Sequence, residues 1–305
     1  MNQYLDAIRQ VLEHGETRTD RTGTGTISVF GLQQRYDLAQ GFPAVTTKRL
    51  AWRSVVSELL WFIEGSGDER RLREILHGDR NSTKDTIWTA NAEADYWRPR
   101  ARFEGDLGRV YGVQWRHWRT QVVVSEPDVK DIHGNGVGKT TFASAYHEVD
   151  QLRGLIAGIK KDPFGRRHIL TAWNPGELDQ MALPPCHVMA QFYVTQDNKL
   201  SCQMYQRSCD MFLGVPFNIA SYSLLTALIA QVCNLDVGEF VHVLGDAHIY
   251  LNHVEQVKEQ LAREPLPAPQ LWLNPDVQDI DGFTMADIRL DGYQSHAAIT
   301  AEMAV

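Results

Sequence analysis

The feature that most constrains the fold is a long apolar segment, residues 219–233. Its apolar side chains fall on nearly every side of a helix, a pattern typical of a helix that is buried all round. Other elements must therefore pack on all of its sides, and the segment predicts the centre of the fold. The preceding run 214–218 is expected to open this helix, with Asn218 in the default role of N-terminal cap.

Two strand-like segments before this helix predict a pair of neighbouring strands. Residues 187–195 and 200–206 alternate in polarity and flank a short polar turn. Two prolines stiffen the backbone just before the first strand, so Cys186 is presented at the mouth of that strand. Arg207 follows the second strand directly, and it would lie beside the thiol if the two strands are neighbours.

Cys186 has two interpretations. A single cysteine is more often a buried structural residue, whereas a nucleophilic thiolate needs a cationic neighbour that lowers its pKa. His187 is adjacent in sequence, but alternation along a strand would point it to the opposite face. If the strands are neighbours, the activating cation is therefore Arg207 rather than His187.

Residues 51–63 predict a second helix that is apolar around most of its circumference. Glu58 lies among the apolar side chains of this segment. A buried glutamate is rare without a partner or a task, so Glu58 is a candidate functional carboxylate.

Arginines in two further polar segments are candidates for binding an anion. Arg21 lies in the glycine-containing run 19–26, and Arg166 and Arg167 lie between a turn and a strand. Solvated turns are the commoner role of such residues, but guanidinium groups also bind phosphate through paired hydrogen bonds. Thiol, carboxylate and guanidinium groups together favour covalent chemistry on a phosphorylated small molecule.

Composition excludes several other classes of function. The chain has 305 residues, 43% of them hydrophobic, and a net charge of −8, which argues against general nucleic-acid binding. We expect no run of transmembrane length, and no export signal is evident. The four cysteines show no zinc spacing. We expect a cytoplasmic protein with reduced thiols, no metal and no membrane association.

Several stretches in a fixed order carry a resemblance to a known family. They are 20–26, 42–48, 58–62, 105–108, 114–116, 166–167, 182–187, 205–210, 214–222, 245–250 and the tail 302–305. By these stretches the chain closely resembles thymidylate synthase, nearly end to end. The stretches without a match are 66–86, 92–104 and 119–147.

The resemblance implies an α/β (α+β) fold: one domain, 1–305, around a mixed β-sheet. Two such sheets would pack back to back in a homodimer with shared active sites. Insertions are expected near 66–104 and 119–147, and the glycine-rich composition of 119–147 predicts a surface loop.

The resemblance also implies a reaction, the reductive methylation of dUMP to dTMP. 5,10-Methylenetetrahydrofolate would be the co-substrate, giving the one-carbon unit and a hydride and leaving as dihydrofolate. Cys186 would attack carbon 6 of the uracil ring, and Arg207 would both lower the pKa of the thiol and bind the phosphate.

The resemblance assigns roles to three groups of residues. The catalytic group is Cys186, Glu58, Arg207, Tyr111, His187 and Asp210. The dUMP group is Arg21, Arg166, Arg167, Gln206, Arg207, Ser208, Asn218, His248 and Tyr250, with Arg166 and Arg167 reaching over from the other subunit. The folate group is Lys48, Ile87, Trp88, Asn91, Leu183, Asp210, Leu213, Gly214, Phe217, Ala304 and Val305, with Lys48 at the glutamate tail and Val305 in a closing lid.

One departure and two alternatives qualify the resemblance. Thr89 stands where the family commonly has aspartate, which leaves the local hydrogen bonding open. One alternative is a pyrimidine-nucleotide hydroxymethylase of the same family, in which water replaces the hydride. Asn218 in place of aspartate argues against a cytosine hydroxymethylase but not against one that acts on uracil. The other alternative is a binding protein on this fold, such as a translational repressor. The presence of Cys186, Arg207, Glu58 and the tail argues against it.

Overall fold

The computed structural model describes residues 1–19, 23–125 and 142–302, without the side chains of 121–125 and 142–146. The strands, numbered in chain order, are β1 (Glu16–Arg18), β2 (Thr26–Asp37), β3 (Trp118–Ser125), β4 (Phe142–Val149), β5 (Ile169–Thr171), β6 (His187–Val194), β7 (Lys199–Asp210), β8 (Asp236–Tyr250), β9 (Gln270–Leu273) and β10 (Ile288–Asp291).

The helices are numbered in the same way, and four of them follow one another between β2 and β3. They are α1 (Asn2–His14), α2 (Trp52–Glu64), α3 (Glu69–His77), α4 (Thr89–Ala92), α5 (Gly112–Arg116), α6 (Gln151–Lys161), α7 (Gly214–Val232) and α8 (Val254–Leu261). Short 3₁₀ helices are Leu38–Gln40, Arg98–Arg100, Pro175–Gln180, Leu251–His253 and Ile280–Gly282.

A six-stranded mixed sheet organises the single α/β domain, in the order β1-β2-β8-β7-β6-β5. Neighbouring strands are antiparallel except β7 and β8, which are parallel because α7 connects them as a crossover. The expected pairing of the two strands around Cys186 is confirmed, since β6 and β7 are antiparallel with His187 opposite Gln206.

The expected central helix is confirmed as α7. It packs against β7, β8 and α2, and nearly all of its residues are buried. The sequence analysis predicted no run of transmembrane length. By length and composition this prediction is wrong, because α7 has 19 residues and a mean hydropathy of 1.4. In this fold 94% of that apolar window is buried inside the protein, as in the core helix of a globular domain.

The opposite face of the sheet carries exposed apolar and aromatic side chains. Phe30 is 82% exposed, Tyr193 63% and Ile169 42%. Ile169 and Tyr193 alternate with core residues along β5 and β6, because successive side chains of a strand point to opposite faces. In the described part of the chain, the sheet therefore covers the core with one face and leaves these side chains of the other exposed.

The prediction of a surface loop over 119–147 is wrong for its described ends. Strands β3 and β4 form a separate antiparallel ribbon, with Trp118 opposite Val149 and Ser125 opposite Phe142. Polar composition concealed the strand pattern there, since a two-stranded ribbon need not bury either face. Residues 126–141 lie outside the described part of the chain.

Candidate active site

Cys186 lies immediately before β6, as the sequence predicted, and is half-buried. Its backbone carbonyl accepts a hydrogen bond of 2.9 Å from the backbone nitrogen of Arg207 on β7. The first pairing of the β6–β7 hairpin thus fixes the thiol beside the arginine.

The two prolines before Cys186 hold the guanidinium group as well as stiffening the chain. Arg207 donates from Nε to the carbonyl of Pro185 and from Nη2 to the carbonyl of Pro184, both at 2.9 Å. Its guanidinium carbon also lies 5.3 Å from the ring centroid of Trp173. These contacts orient a cation next to the thiol, which the sequence had predicted only conditionally.

Burial raises the pKa of the Cys186 thiol in the free protein. The positive charge of Arg207 opposes this rise, as do hydrogen bonds with Tyr111 and Ser208, because each favours the thiolate. Arg207 therefore lowers the pKa as expected, but burial outweighs it in the protein without substrate.

Tyr111 links Cys186 to the core. Its hydroxyl oxygen accepts a hydrogen bond of 2.7 Å from the backbone nitrogen of Cys186, and its ring lies 5.0 Å from that of His187. The backbone of Tyr111 has φ of +27°, which is uncommon for a residue with a side chain. The surrounding packing, including a stacked Phe62 ring at 4.9 Å, holds it there.

Glu58 is buried in α2, as predicted, and accepts a hydrogen bond of 2.7 Å from Nε1 of Trp88. Burial raises its pKa from 4.5 to about 7, and the indole hydrogen bond opposes this rise. No cation pairs with Glu58 within the described residues. Trp88 in turn lies 5.6 Å from the Tyr111 ring, so carboxyl, indole and phenol form one cluster that reaches Cys186.

A second buried cluster surrounds Asn218. Its Oδ1 accepts a hydrogen bond of 2.9 Å from Nε2 of Gln206, whose Oε1 lies 2.8 Å from Nε2 of His242. The expectation that Asn218 caps α7 is wrong, because the helix begins at Gly214 and Asn218 lies inside it. His187 is buried nearby; burial lowers its pKa to about 4, while a hydrogen bond with Asn218 opposes this.

His248 and Tyr250 share one face at the end of β8, as their spacing predicted, with ring centroids 5.2 Å apart. Nδ1 of His248 lies 3.1 Å from the carbonyl of Asp246 and 3.3 Å from its carboxylate. Burial lowers the pKa of His248, but the carboxylates of Asp246 and Asp210 outweigh burial and raise it overall.

The residues predicted to bind the phosphate lie in different surroundings. Ser208 is half-buried beside Arg207, whereas Arg166 and Arg167 are exposed between α6 and the edge strand β5. They line a surface cleft formed with α6, apart from the Cys186 cluster. Arg21 lies outside the described residues.

The folate candidates surround the start of α7 and the Trp88 segment. Asp210 accepts hydrogen bonds from the backbone nitrogens of Phe212 and Leu213, at 2.9 and 3.1 Å, and so shapes the link from β7 to Gly214. Ile87 is 40% exposed, Trp88 and Phe217 are buried, and Leu183 and Asn91 are half-buried. Ala304 and Val305 lie outside the described residues.

Lys48 is buried rather than free in solution. Its Nζ donates to the carbonyl of Phe212 at 2.5 Å and lies 3.6 Å from the centroid of the Phe212 ring. Burial lowers its pKa to about 8, and the charge of Asp210 opposes this.

Two residues of the site were missed from the sequence. His242 lies on β8 in an ordinary alternating strand, which carried no signal. Glu69 accepts a hydrogen bond of 2.7 Å from Thr89 and pairs with Arg73, also at 2.7 Å. The hydrogen bonding around Thr89, which the sequence left open, is thus completed by a carboxylate from α3.

The site brings together a thiol, a guanidinium group, a buried carboxyl and a buried amide, which are groups that enzymes use in nucleophilic and acid–base catalysis. A family model described as thymidylate synthase matches residues 2–305. A thymidylate synthase of Equine herpesvirus 2 (strain 86/87) is 52% identical over 306 residues, with 100% of this chain and 98% of that protein aligned.

A bifunctional dihydrofolate reductase-thymidylate synthase of Zea mays is 50% identical over 307 residues. The alignment includes 99% of this chain and 54% of that longer protein. The chain belongs to the thymidylate synthase family, and the resemblance inferred from its motifs is confirmed.

Proposed function

We propose that the protein converts dUMP to dTMP, with 5,10-methylenetetrahydrofolate as co-substrate. The observation that carries the proposal is the thiol of Cys186 held beside the guanidinium group of Arg207. The matched relatives are thymidylate synthases. The hydroxymethylase alternative is therefore not favoured.

Cys186 is the nucleophile that adds to carbon 6 of the uracil ring. The addition breaks the double bond between carbons 5 and 6, so carbon 5 becomes nucleophilic. Burial raises the pKa of the thiol, and the cation and the two hydroxyl donors around it favour the thiolate that must form. Tyr111 fixes the backbone of the nucleophile through its bond to the Cys186 nitrogen.

Glu58 moves protons in this reaction. Its pKa of about 7 lets the carboxyl exist in both states near neutral pH, as a group that gives and takes protons must. His187, whose pKa is about 4 because of burial, stays neutral there and serves as a hydrogen-bonding group.

Asn218 recognises the pyrimidine. A carboxamide offers one acceptor and one donor, which match the N3 hydrogen and the O4 carbonyl of uracil. His248 and Tyr250, side by side on β8, hold the sugar hydroxyl. Arg207 and Ser208 bind the phosphate together with Arg21, because a dianion is best held by several charged donors.

The residues around Trp88 fit a flat, partly apolar co-substrate that supplies the one-carbon unit and the hydride. Ile87 is exposed next to the Trp88 ring, and Leu183 and Phe217 add apolar surface. Asp210 and Leu213 would border it at Gly214, and Asn91 at the Trp88 side. Lys48 would contact the glutamate tail only after leaving the Phe212 carbonyl. Ala304 and Val305 would exclude water by closing over the site.

The protein acts as a homodimer with shared sites. The exposed sheet face with Phe30, Tyr193 and Ile169 suits a second copy of the same face. The partner subunit's Arg166 and Arg167 would then complete the phosphate site. We infer a cytoplasmic location, because all four cysteines, which lie in the described part of the chain, are free thiols.

The direct test is the product formed from dUMP and methylenetetrahydrofolate. We expect dTMP with one dihydrofolate per turnover, measured by nucleotide chromatography and dihydrofolate absorbance. Cys186→Ser is the control, and it should bind dUMP without turnover. Formation of 5-hydroxymethyl-dUMP without dihydrofolate would replace the synthase proposal by the hydroxymethylase.

The shared site is tested by mixing two inactive variants, Cys186→Ser and Arg166→Ala. Each heterodimer would hold one site with both residues intact, so activity should return after subunit exchange. Mixtures in which exchange is verified by mass tags but no activity returns would contradict the shared site.

A further inference from the structure

His242 is fully buried on β8, and its side chain has one hydrogen-bond partner within the described residues. That partner is Oε1 of Gln206, at 2.8 Å. The other ring nitrogen, Nδ1, is buried and makes no hydrogen bond in the described part of the chain. The reaction as described makes no use of His242.

The orientation of the Gln206 amide follows from a backbone group. One end of this amide lies 2.9 Å from the carbonyl of Ser208, which can only accept a hydrogen bond. That end must therefore be the NH₂ group, and Oε1 must face His242. The same NH₂ group lies 2.9 Å from Asn218, so its second hydrogen meets Oδ1 of Asn218.

The tautomer of His242 follows in turn. Oε1 of Gln206 needs a donor, so Nε2 of His242 must carry the ring hydrogen. Burial, and then the neighbouring His187, lowers the pKa of His242 to about 3, so the ring keeps one hydrogen at neutral pH. A single N–H thus completes a directed chain from His242 through Gln206 to Asn218.

We infer that His242 is a positioning residue for pyrimidine specificity, which holds Asn218 in the orientation that matches uracil by donating to Gln206. The inference rests on the proposed function and deepens it. With Oδ1 of Asn218 fixed on the Gln206 side, its NH₂ group is fixed on the other. The Asn218 amide then presents its donor and its acceptor to the base in one fixed arrangement.

Without the donor at position 242, this arrangement is no longer fixed. Oε1 of Gln206 would be buried without a partner, which favours displacement of the whole side chain from its place between the Ser208 carbonyl and Asn218. The amide cannot simply turn over in place, because its oxygen would then meet the Ser208 carbonyl. A displaced Gln206 no longer donates to Oδ1 of Asn218, so the Asn218 amide is then free to turn. The exchanged donor and acceptor of Asn218 match the N3 acceptor and the N4 amino donor of cytosine.

The test compares His242→Phe with His242→Gln. Phenylalanine keeps a flat ring but removes both nitrogens, whereas the glutamine amide can place a donor close to the position of Nε2. Each substitution is made in the Cys186→Ser background, and the dissociation constants of dUMP and dCMP are measured by titration. Tyr4→Phe is the matched control, because it removes another fully buried donor, from the Met211 carbonyl, at 2.8 Å.

We expect His242→Phe to reduce the preference for dUMP over dCMP by about tenfold or more. His242→Gln should restore most of it, and Tyr4→Phe should leave the ratio unchanged even if both phenylalanine variants lose stability. An unchanged ratio in folded His242→Phe, or an equal change in Tyr4→Phe, would overturn the inference.

A measurement on the wild-type protein keeps the inference testable if His242→Phe does not fold. Nitrogen-15 NMR of the imidazoles, with the His242 signal assigned by its loss in His242→Gln, should show the neutral tautomer with hydrogen on Nε2. Hydrogen on Nδ1 would refute the inference. Wild-type protein that makes no dTMP would instead refute the proposed function, so the two failures are distinct.

Discussion

Glu58 and Glu177 are both buried glutamates in the same core, yet their partners differ. Glu177 accepts hydrogen bonds from Nε of Arg109 at 2.5 Å, from Gln114 at 2.8 Å and from Asn174 at 3.2 Å. Glu58 accepts one from the neutral indole of Trp88 at 2.7 Å. Of these two carboxylates, only that of Glu177 lies against a cation among the described residues.

The comparison separates a structural carboxylate from one able to exchange protons. Glu177 is held by a guanidinium group and several other donors, so it ties Arg109 to the surrounding loops. Without a cation, burial raises the pKa of Glu58 to about 7. Burial alone therefore does not distinguish the two carboxylates, whereas the missing charged partner makes Glu58 the candidate for proton transfer.

The largest expected effect is on turnover. Glu58→Gln keeps the shape and the contact with Trp88 but removes the exchangeable proton, so kcat should fall about 10²- to 10⁴-fold. Glu177→Gln is the matched control, and its folded fraction should keep kcat close to wild type. Steady-state kinetics measure kcat for both variants. An equal decrease in kcat in both would contradict the distinction between the two glutamates.

The next effect is on stability. Arg109→Met leaves Glu177 buried without its cation, so the free energy of unfolding should fall by about 3–5 kcal/mol. Urea unfolding measures this change. The double variant Arg109→Met/Glu177→Gln should recover part of the loss, since it removes the uncompensated charge. If the double variant is no more stable than Arg109→Met, the ion pair does not carry the effect.

Glu58 should also make stability depend on pH. Its folded-state pKa is raised from 4.5 to about 7, so its contribution is complete below about pH 4.5 and is lost as pH rises through 7. The free energy of unfolding should therefore fall by at most about 3 kcal/mol over this range. The fall should be absent in Glu58→Gln. A wild-type and a variant profile that run parallel would refute it.

The smallest expected effect concerns the indole donor. The hydrogen bond from Trp88 lowers the pKa of Glu58, so Trp88→Phe should move the pH dependence of kcat to higher pH, by about one unit. Trp61→Phe is the control, because its indole donates to the backbone carbonyl of Asp68 instead. A shift to lower pH in Trp88→Phe would contradict this account.

The parts of the site that the sequence predicted are those that local geometry determines. Cys186 and Arg207 meet because a short turn sets the register of the β6–β7 hairpin. Glu58 could be predicted as buried because its own helix is apolar around it.

The remaining parts depend on contacts between distant segments. Arg109 and Glu177 are 68 positions apart, and His242 meets Gln206 only through the β7–β8 pairing. The local sequence favoured a helix cap at Asn218 because asparagine is a common cap, and only the true start of α7, at Gly214, excludes that role. The burial of Lys48 on Phe212 likewise carried no sequence signal, because lysine is usually exposed.

Helix α7 has a consequence for how the chain is made. Until it is packed, its 19 residues have the composition of a membrane span. One of its two partner strands, β8, follows it in the chain, so a nascent chain must complete the crossover before this surface is hidden. Substitutions that delay pairing of β7 with β8 will therefore reduce the yield of soluble protein more than the specific activity of the molecules that do fold.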